Sequence, residues 1–239
     1  MALALLFGLQ SEPAAGQAEV RNFTQPIPML NTGGHSAPVR GLIFAPPDGL
    51  HLLSAGLDKI VNIWNLHEAP PAIARTIRPR IWRGYAGAIY AMALSPVAEP
   101  DGQRLLAVAG FGVQAGRGEI GLFRFPGANS RPTGDVLPPL PGGTPGPDPD
   151  GHLGVVVSLA FHPRGGFLAS AGHDTTIRVW NLQTRRTVAV LKGQHTRPVN
   201  AVAYLPDGNH IVSGGADGQV LLWDVDARGR GPVRAESLD

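Results

Sequence analysis

The sequence predicts an all-β fold built from four repeated units, each of four short antiparallel strands. Internal repetition is the first ground. Ser54-Ala55-Gly56-Leu57-Asp58 leading to Trp64-Asn65 returns as Ser170–Asp174 leading to Trp180-Asn181, and again as Ser213–Asp217 leading to Trp223-Asp224. In each copy Ser precedes Asp by four residues, Asp precedes Trp by six, and a His (His35, His152, His195) stands 22 or 23 residues before the Asp. Trp180 and Trp223 are 43 residues apart, as are His152 and His195, and a four-stranded unit takes about 40–45 residues. Repetition at this scale decides architecture ahead of local propensity, because each unit must bury its apolar face against the next. The second ground is alternation: short apolar/polar runs broken by Gly, Pro or Asp.

Each unit yields its strands in turn. Val199–Tyr204 alternates and ends at the turn Pro206-Asp207-Gly208; Ile211-Val212-Ser213 and Val220-Leu221-Leu222-Trp223 follow. Leu182–Val190, with Thr187–Leu191 as its apolar part, supplies an outer strand for the unit before it. A degenerate unit lies between the first two full copies. There Ile89–Pro96 matches Val39–Pro46, Leu105–Gly110 matches Leu52–Gly56, and Ile120–Phe123 stands for the strand that ends in Trp. Tyr85 replaces the His, Arg117 the Asp and Phe123 the Trp, so this unit keeps the strand pattern without the polar set.

The starts Gly34-His35, Gly151-His152 and Gly193-Gln194-His195, with ends at Trp64-Asn65, Trp180-Asn181 and Trp223-Asp224, resemble the WD40 repeat. The resemblance covers roughly residues 34–226. It implies β-propeller blades of four antiparallel strands, four WD-like repeats in all, in an incomplete or partner-completed ring, since propellers of this kind close with more blades. The blades are expected at 34–77, 78–141, 150–191 and 192–226, with an apolar leader at 1–18, an extension at 19–33, a Pro/Gly-rich loop at 126–149 and a tail at 227–239. The fourth blade is expected to lack an outer strand of its own, which Val20–Phe23 could supply. The resemblance also implies a buried hydrogen-bonded tetrad in each full blade: His35/Ser54/Asp58/Trp64, His152/Ser170/Asp174/Trp180 and His195/Ser213/Asp217/Trp223. Such a network fixes geometry when complete and costs stability when half made. Ser, His and Asp could instead form a hydrolytic triad, which needs an exposed nucleophile. Three equivalent sets, each tied to a Trp, favour the repeated structural device.

Composition bounds the chemistry. The chain has 239 residues, 43% hydrophobic and 16% charged, with 32 Gly and 23 Pro, which suits many short strands and turns. Net charge is +2, and Lys occurs only at 59 and 192. A nucleic-acid surface would need clustered charge with interleaved aromatics; the densest group is Arg75, Arg78, Arg80 and Arg83 beside Trp82, read as a solvated strand edge. Cysteine is absent, which removes disulfides, thiolate ligands and a Cys nucleophile. The eight His do not fall at metal-ligand spacings, and neither a Gly-x-Ser-x-Gly nor a phosphate-binding loop occurs. No cofactor, metal or membrane partner is expected. Ala2–Leu9 with Gly16-Gln17-Ala18 resembles the later regions of a secretory signal peptide without its basic start, so an exported or periplasmic location is preferred to a cytoplasmic one.

The function expected is a non-catalytic scaffold that binds proteins through loops at the blade faces. The residues before each Asp (Leu57, His173, Ala216) and after each His (Ser36, Leu153, Thr196, Arg197) are the expected contacts. The rival is a regulatory segment of a larger enzyme, since Arg78–Tyr85 and Ala88–Ala91 are similar to bacterial propellers joined to caspase-like peptidase domains. That similarity is one of fold alone.

Overall fold

The computed structural model describes residues 34–46, 49–67, 72–77, 87–111, 118–125, 136–140, 151–225 and 235–237. The chain divides into Met1–Thr32 and Gly33–Asp239, and only the second unit contains described residues. The expected leader, the expected strand at Val20–Phe23, and Arg78, Arg80, Trp82, Arg83, Tyr85 and Arg117 lie outside them. Every described regular element is a strand.

The strands form four antiparallel sheets of four. The first holds β1 (Val39–Ala45), β2 (His51–Gly56), β3 (Val61–Asn65) and β4 (Ala72–Ile77); the second β5 (Ile89–Leu94), β6 (Arg104–Phe111), β7 (Gly118–Phe125) and β8 (Val136–Leu140). The third holds β9 (Val156–Phe161), β10 (Phe167–Gly172), β11 (Ile177–Asn181) and β12 (Arg186–Leu191); the fourth β13 (Val199–Tyr204), β14 (His210–Gly215), β15 (Val220–Asp224) and β16 (Ala235–Ser237). Each sheet is an up-and-down meander in chain order, because turns of a few residues can only join antiparallel neighbours. All four sheets carry a register irregularity at the same place, where the first strand enters its ladder: Val39/Gly41, Ile89/Ala91, Val156 opposite Gly172, and Val199/Ala201. One repeated local sequence has made one repeated local bend.

One outer strand departs from expectation, and another falls where Asp135-Val136-Leu137 offers one in the sequence. The fourth sheet completes itself: Ala235–Ser237, placed in the tail by sequence, pairs with Leu221–Trp223. Trp223 and its neighbours leave an unpaired strand edge, and three residues suffice to cover it. In the second sheet Val136–Leu140 forms the outer strand within the Pro-rich stretch, where Pro138 and Pro139 sit on a sheet edge. A missing N–H is tolerated there.

Consecutive sheets pack face to face, first strands against first strands: β5 on β1, β9 on β5, β13 on β9. The core lies in three layers between them. Leu53, Val61 and Ile63 meet Leu106, Val108 and Phe123; Ala107, Ile120 and Leu122 meet Leu168 and Trp180; Ala169, Ile177 and Val179 meet Ile211, Leu221 and Trp223. Each sheet therefore has a leading face that carries Trp or Phe and a trailing face of smaller aliphatics. No described strand of the first sheet packs on the fourth to the extent that consecutive sheets do. Close packing shows at Gly118, where an added Cβ would lie 2.5 Å from Val156 Cγ2 in the next sheet.

A repeated interaction platform

The three Ser/Asp/Trp copies fold alike. In the first sheet His35 Nδ1 lies 2.8 Å from Asp58 Oδ2, His35 Nε2 is 2.7 Å from Ser54 Oγ, and Trp64 Nε1 donates to the same Oγ at 2.7 Å. In the third, His152 Nδ1 is 3.0 Å from Asp174 Oδ2, Nε2 is 2.7 Å from Ser170 Oγ, and Trp180 Nε1 donates to that Oγ at 2.8 Å. In the fourth the distances are 3.0 Å to Asp217, 2.8 Å to Ser213 Oγ and 2.7 Å from Trp223 Nε1. A carboxylate only accepts, so Nδ1 carries the proton and Nε2 takes the Ser hydroxyl proton. Proton donation then runs in one direction: Trp to Ser to His, and His to Asp.

The connectivity equals that of a hydrolytic triad, and burial separates the two. Ser54, Ser170 and Ser213 are 3%, 0% and 1% exposed, and each Oγ already accepts an indole N–H. A carbonyl substrate has no approach to such an oxygen. In the second sheet Val108 occupies the place of the Ser and Phe123 that of the Trp, both buried, so an apolar pair has replaced the polar chain. Sequence reading caught Phe123; Val108 becomes legible only once β5 and β6 are in register.

The carboxylates also clamp backbone. Asp58 accepts from Ser36 N, Asp174 from Leu153 N and Asp217 from Thr196 N, each at 2.9 Å. Burial pushes the Asp174 carboxyl upward, but hydrogen bonds from His152, Thr176 and Leu153 outweigh it and hold the group well below the usual carboxylate range. Asp217 follows the same balance: partial burial raises it, and bonds from Thr196, His195 and Gln219 bring it down to about 2.

A second tie joins the same two loops through the main chain. Leu57 N donates to Pro38 O at 3.1 Å, His173 N to Val155 O at 2.9 Å, and Ala216 N to Pro198 O at 2.8 Å. The residue before each Asp and the residue after each His are thus held side by side at one end of each of these sheets. Ser36, Leu153, His173, Thr196, Arg197 and Ala216 are exposed there and Leu57 is half-buried. Gly41 faces Met92 and Ser158 faces Val202, so consecutive first strands run the same way and the three platforms lie at the same end of their sheets. Among the described residues no group of three or more His, Asp or Glu side chains is placed to hold a metal ion. No described helix is long and apolar enough to cross a membrane.

Comparison with known proteins agrees with this construction. The family model for the WD40 repeat (WD domain, G-beta repeat) matches residues 26–65, 145–181 and 185–224. Nuclear distribution protein PAC1 of Meyerozyma guilliermondii is 42% identical over 79 residues, 31% of this chain and 16% of that protein. Ribosome biogenesis protein erb1 of Aspergillus clavatus is 50% identical over 52 residues, 22% of this chain and 7% of its own length. PAC1 of Arthroderma otae is 27% identical over 207 residues, 80% of this chain and 41% of the relative. The chain spans less than half the length of each of these curated relatives. These relatives are fungal and lend no support to the similarity to bacterial propellers joined to caspase-like peptidase domains.

Proposed function

We propose that this chain, a carrier of three WD40 repeats, is a non-catalytic scaffold that binds protein partners through the shared end of its first, third and fourth sheets. One observation carries the reading. Each carboxylate of the tetrad spends its bonds on the backbone and ring that fix two loops, and leaves the neighbouring side chains outward. A rigid frame presenting variable side chains binds with little ordering cost. Leu153, His173, Thr196 and Arg197 offer one apolar, one aromatic, one hydroxyl and one cationic group, a mixture suited to a protein surface. The named relatives belong to nuclear distribution and ribosome biogenesis, and a binding role here is compatible with both names.

The test is alanine replacement of Leu153, His173, Thr196 and Arg197, followed by quantitative affinity purification against the unaltered chain. Loss of the same co-purifying proteins with an unchanged unfolding midpoint supports the reading. Unchanged binding overturns it, and a midpoint that drops in step with binding means the four side chains support the fold. An exported location for the chain is a separate proposal, tested by fractionation with sequencing of the mature N-terminus.

A further inference from the structure

Among the described residues no further sheet covers either end of the row of sheets, and the two ends match each other. On the leading face of the first sheet Leu42 and Phe44 are 64% and 63% exposed, whereas their equivalents Val202 and Phe161, covered by a preceding sheet, are 7% and 8% exposed. Trp64 on that same face is half-buried, while Trp180 and Trp223 are each 1% exposed. On the trailing face of the fourth sheet Ala201 and Ala203 are exposed and Leu222 is half-buried. Their equivalents in the third sheet, Ser158, Ala160 and Val179, lie on the face turned to the fourth sheet. One end is thus an uncovered Trp face, and the other an uncovered seat for one.

The internal interfaces also set the register. A Cβ added at Gly41 would lie 3.3 Å from Met92 Cβ, and Ser158 Oγ accepts from Val202 N at 3.0 Å. In both cases the third position of one first strand faces the fourth position of the next. Carried to the bare ends, that rule places Ala201 against Leu42. Within one chain the two ends do not meet as consecutive sheets do.

We propose that the leading face of the first sheet docks on the trailing face of the fourth sheet of a second copy, and reciprocally, so that two chains close one ring of eight sheets. A second copy is the occupant the residues favour, since each copy carries both halves of a contact already made three times within it. A head-to-tail contact that repeats exposes new ends unless it closes, and eight blades lie within the range at which propellers close. Both apolar faces then leave water.

The full chain gives a direct test, because it contains no cysteine. Light scattering of the unaltered chain on size exclusion should give twice the chain mass. In the double variant Leu42→Cys/Ala201→Cys, mild oxidation should give a covalent dimer on non-reducing gels, as the equivalent internal pair sits near disulfide Cβ separation. Neither single variant should form it in comparable yield. A monomer by scattering, a disulfide within one chain, or a ladder extending beyond the dimer each overturns the two-chain ring.

Discussion

At the scale of single residues, the tetrads differ in what covers them, and that difference sets what each is worth. Ser170 bonds to His152 and Trp180 in a fully buried setting, so Ser170→Ala strands a ring nitrogen and an indole N–H together. The expected cost is about 2–6 kcal/mol, from about 1–3 for each of the two buried groups left without a partner, read by urea denaturation. Ser54→Ala should cost less, about 1 kcal/mol, because Trp64 is half-buried and water can replace the lost bond. The residue after each Asp takes a left-handed backbone: Lys59 at φ 69°, Thr175 at φ 64° and Gly218 at φ 81°. Thr is β-branched and strained there, whereas Gly218 shows the relaxed solution. Thr175→Gly should therefore raise the unfolding free energy by about 0.5–1 kcal/mol, seen as a higher thermal midpoint.

Between elements, the contact of the third and fourth sheets holds a buried histidine outside the tetrads. His162 Nε2 donates to Gly208 O at 3.1 Å across the sheets, and its Nδ1 accepts from Arg164 N at 3.1 Å. An added Cβ at Gly208 would lie 2.4 Å from His162 Nε2, and Gly208 has φ +75°, so glycine is required there twice over. Burial lowers the His162 pKa from 6.5, with Arg164 adding to the effect and the carbonyl of Gly208 opposing it. The unfolded chain then takes up a proton below about pH 6.5 that the folded one resists, and stability falls as pH drops through that window. His162→Leu, which installs the residue of the equivalent position Leu205, should flatten the slope of unfolding free energy between pH 5 and pH 6.5, about the range a His titration covers. A second loss belongs to the tetrads. Asp174 and Asp217 are held below their ordinary 3.8, so their contribution is complete above that pH and disappears as the carboxylates protonate under it.

For the whole molecule, stability is tied to association. Each of the three internal layers buries a Trp or Phe face, and the fourth such face, around Leu42 and Phe44, is left in water. If a second copy covers it, folding and pairing are linked by mass action. The thermal midpoint of the unaltered chain should then rise with protein concentration over a hundredfold dilution series, and that of Leu42→Lys should not. The platform residues lie at the end of the sheets, away from this contact. Alanine at Leu153 or His173 should accordingly leave the concentration dependence unchanged.

The repeats were legible in the sequence because each sheet is local: four strands joined by short turns, with Ser, Asp and Trp at constant spacing. Those spacings determined the fold class and singled out the groups that the tetrads bring together. Residues that look equal along the chain became unequal through packing alone. Trp64 and Trp180 share one motif, yet only Trp180 has a sheet in front of it. Ala235–Ser237 carries no strand signal, and its place is set by the open edge of β15. Val108 and His162 gain their meaning from partners on other strands. Local pattern determined what each sheet is, because its strands are neighbours in the chain. Which faces are covered, which stay bare and what each buried group meets were decided only by the stacking of sheets, where contacts join residues tens of positions apart.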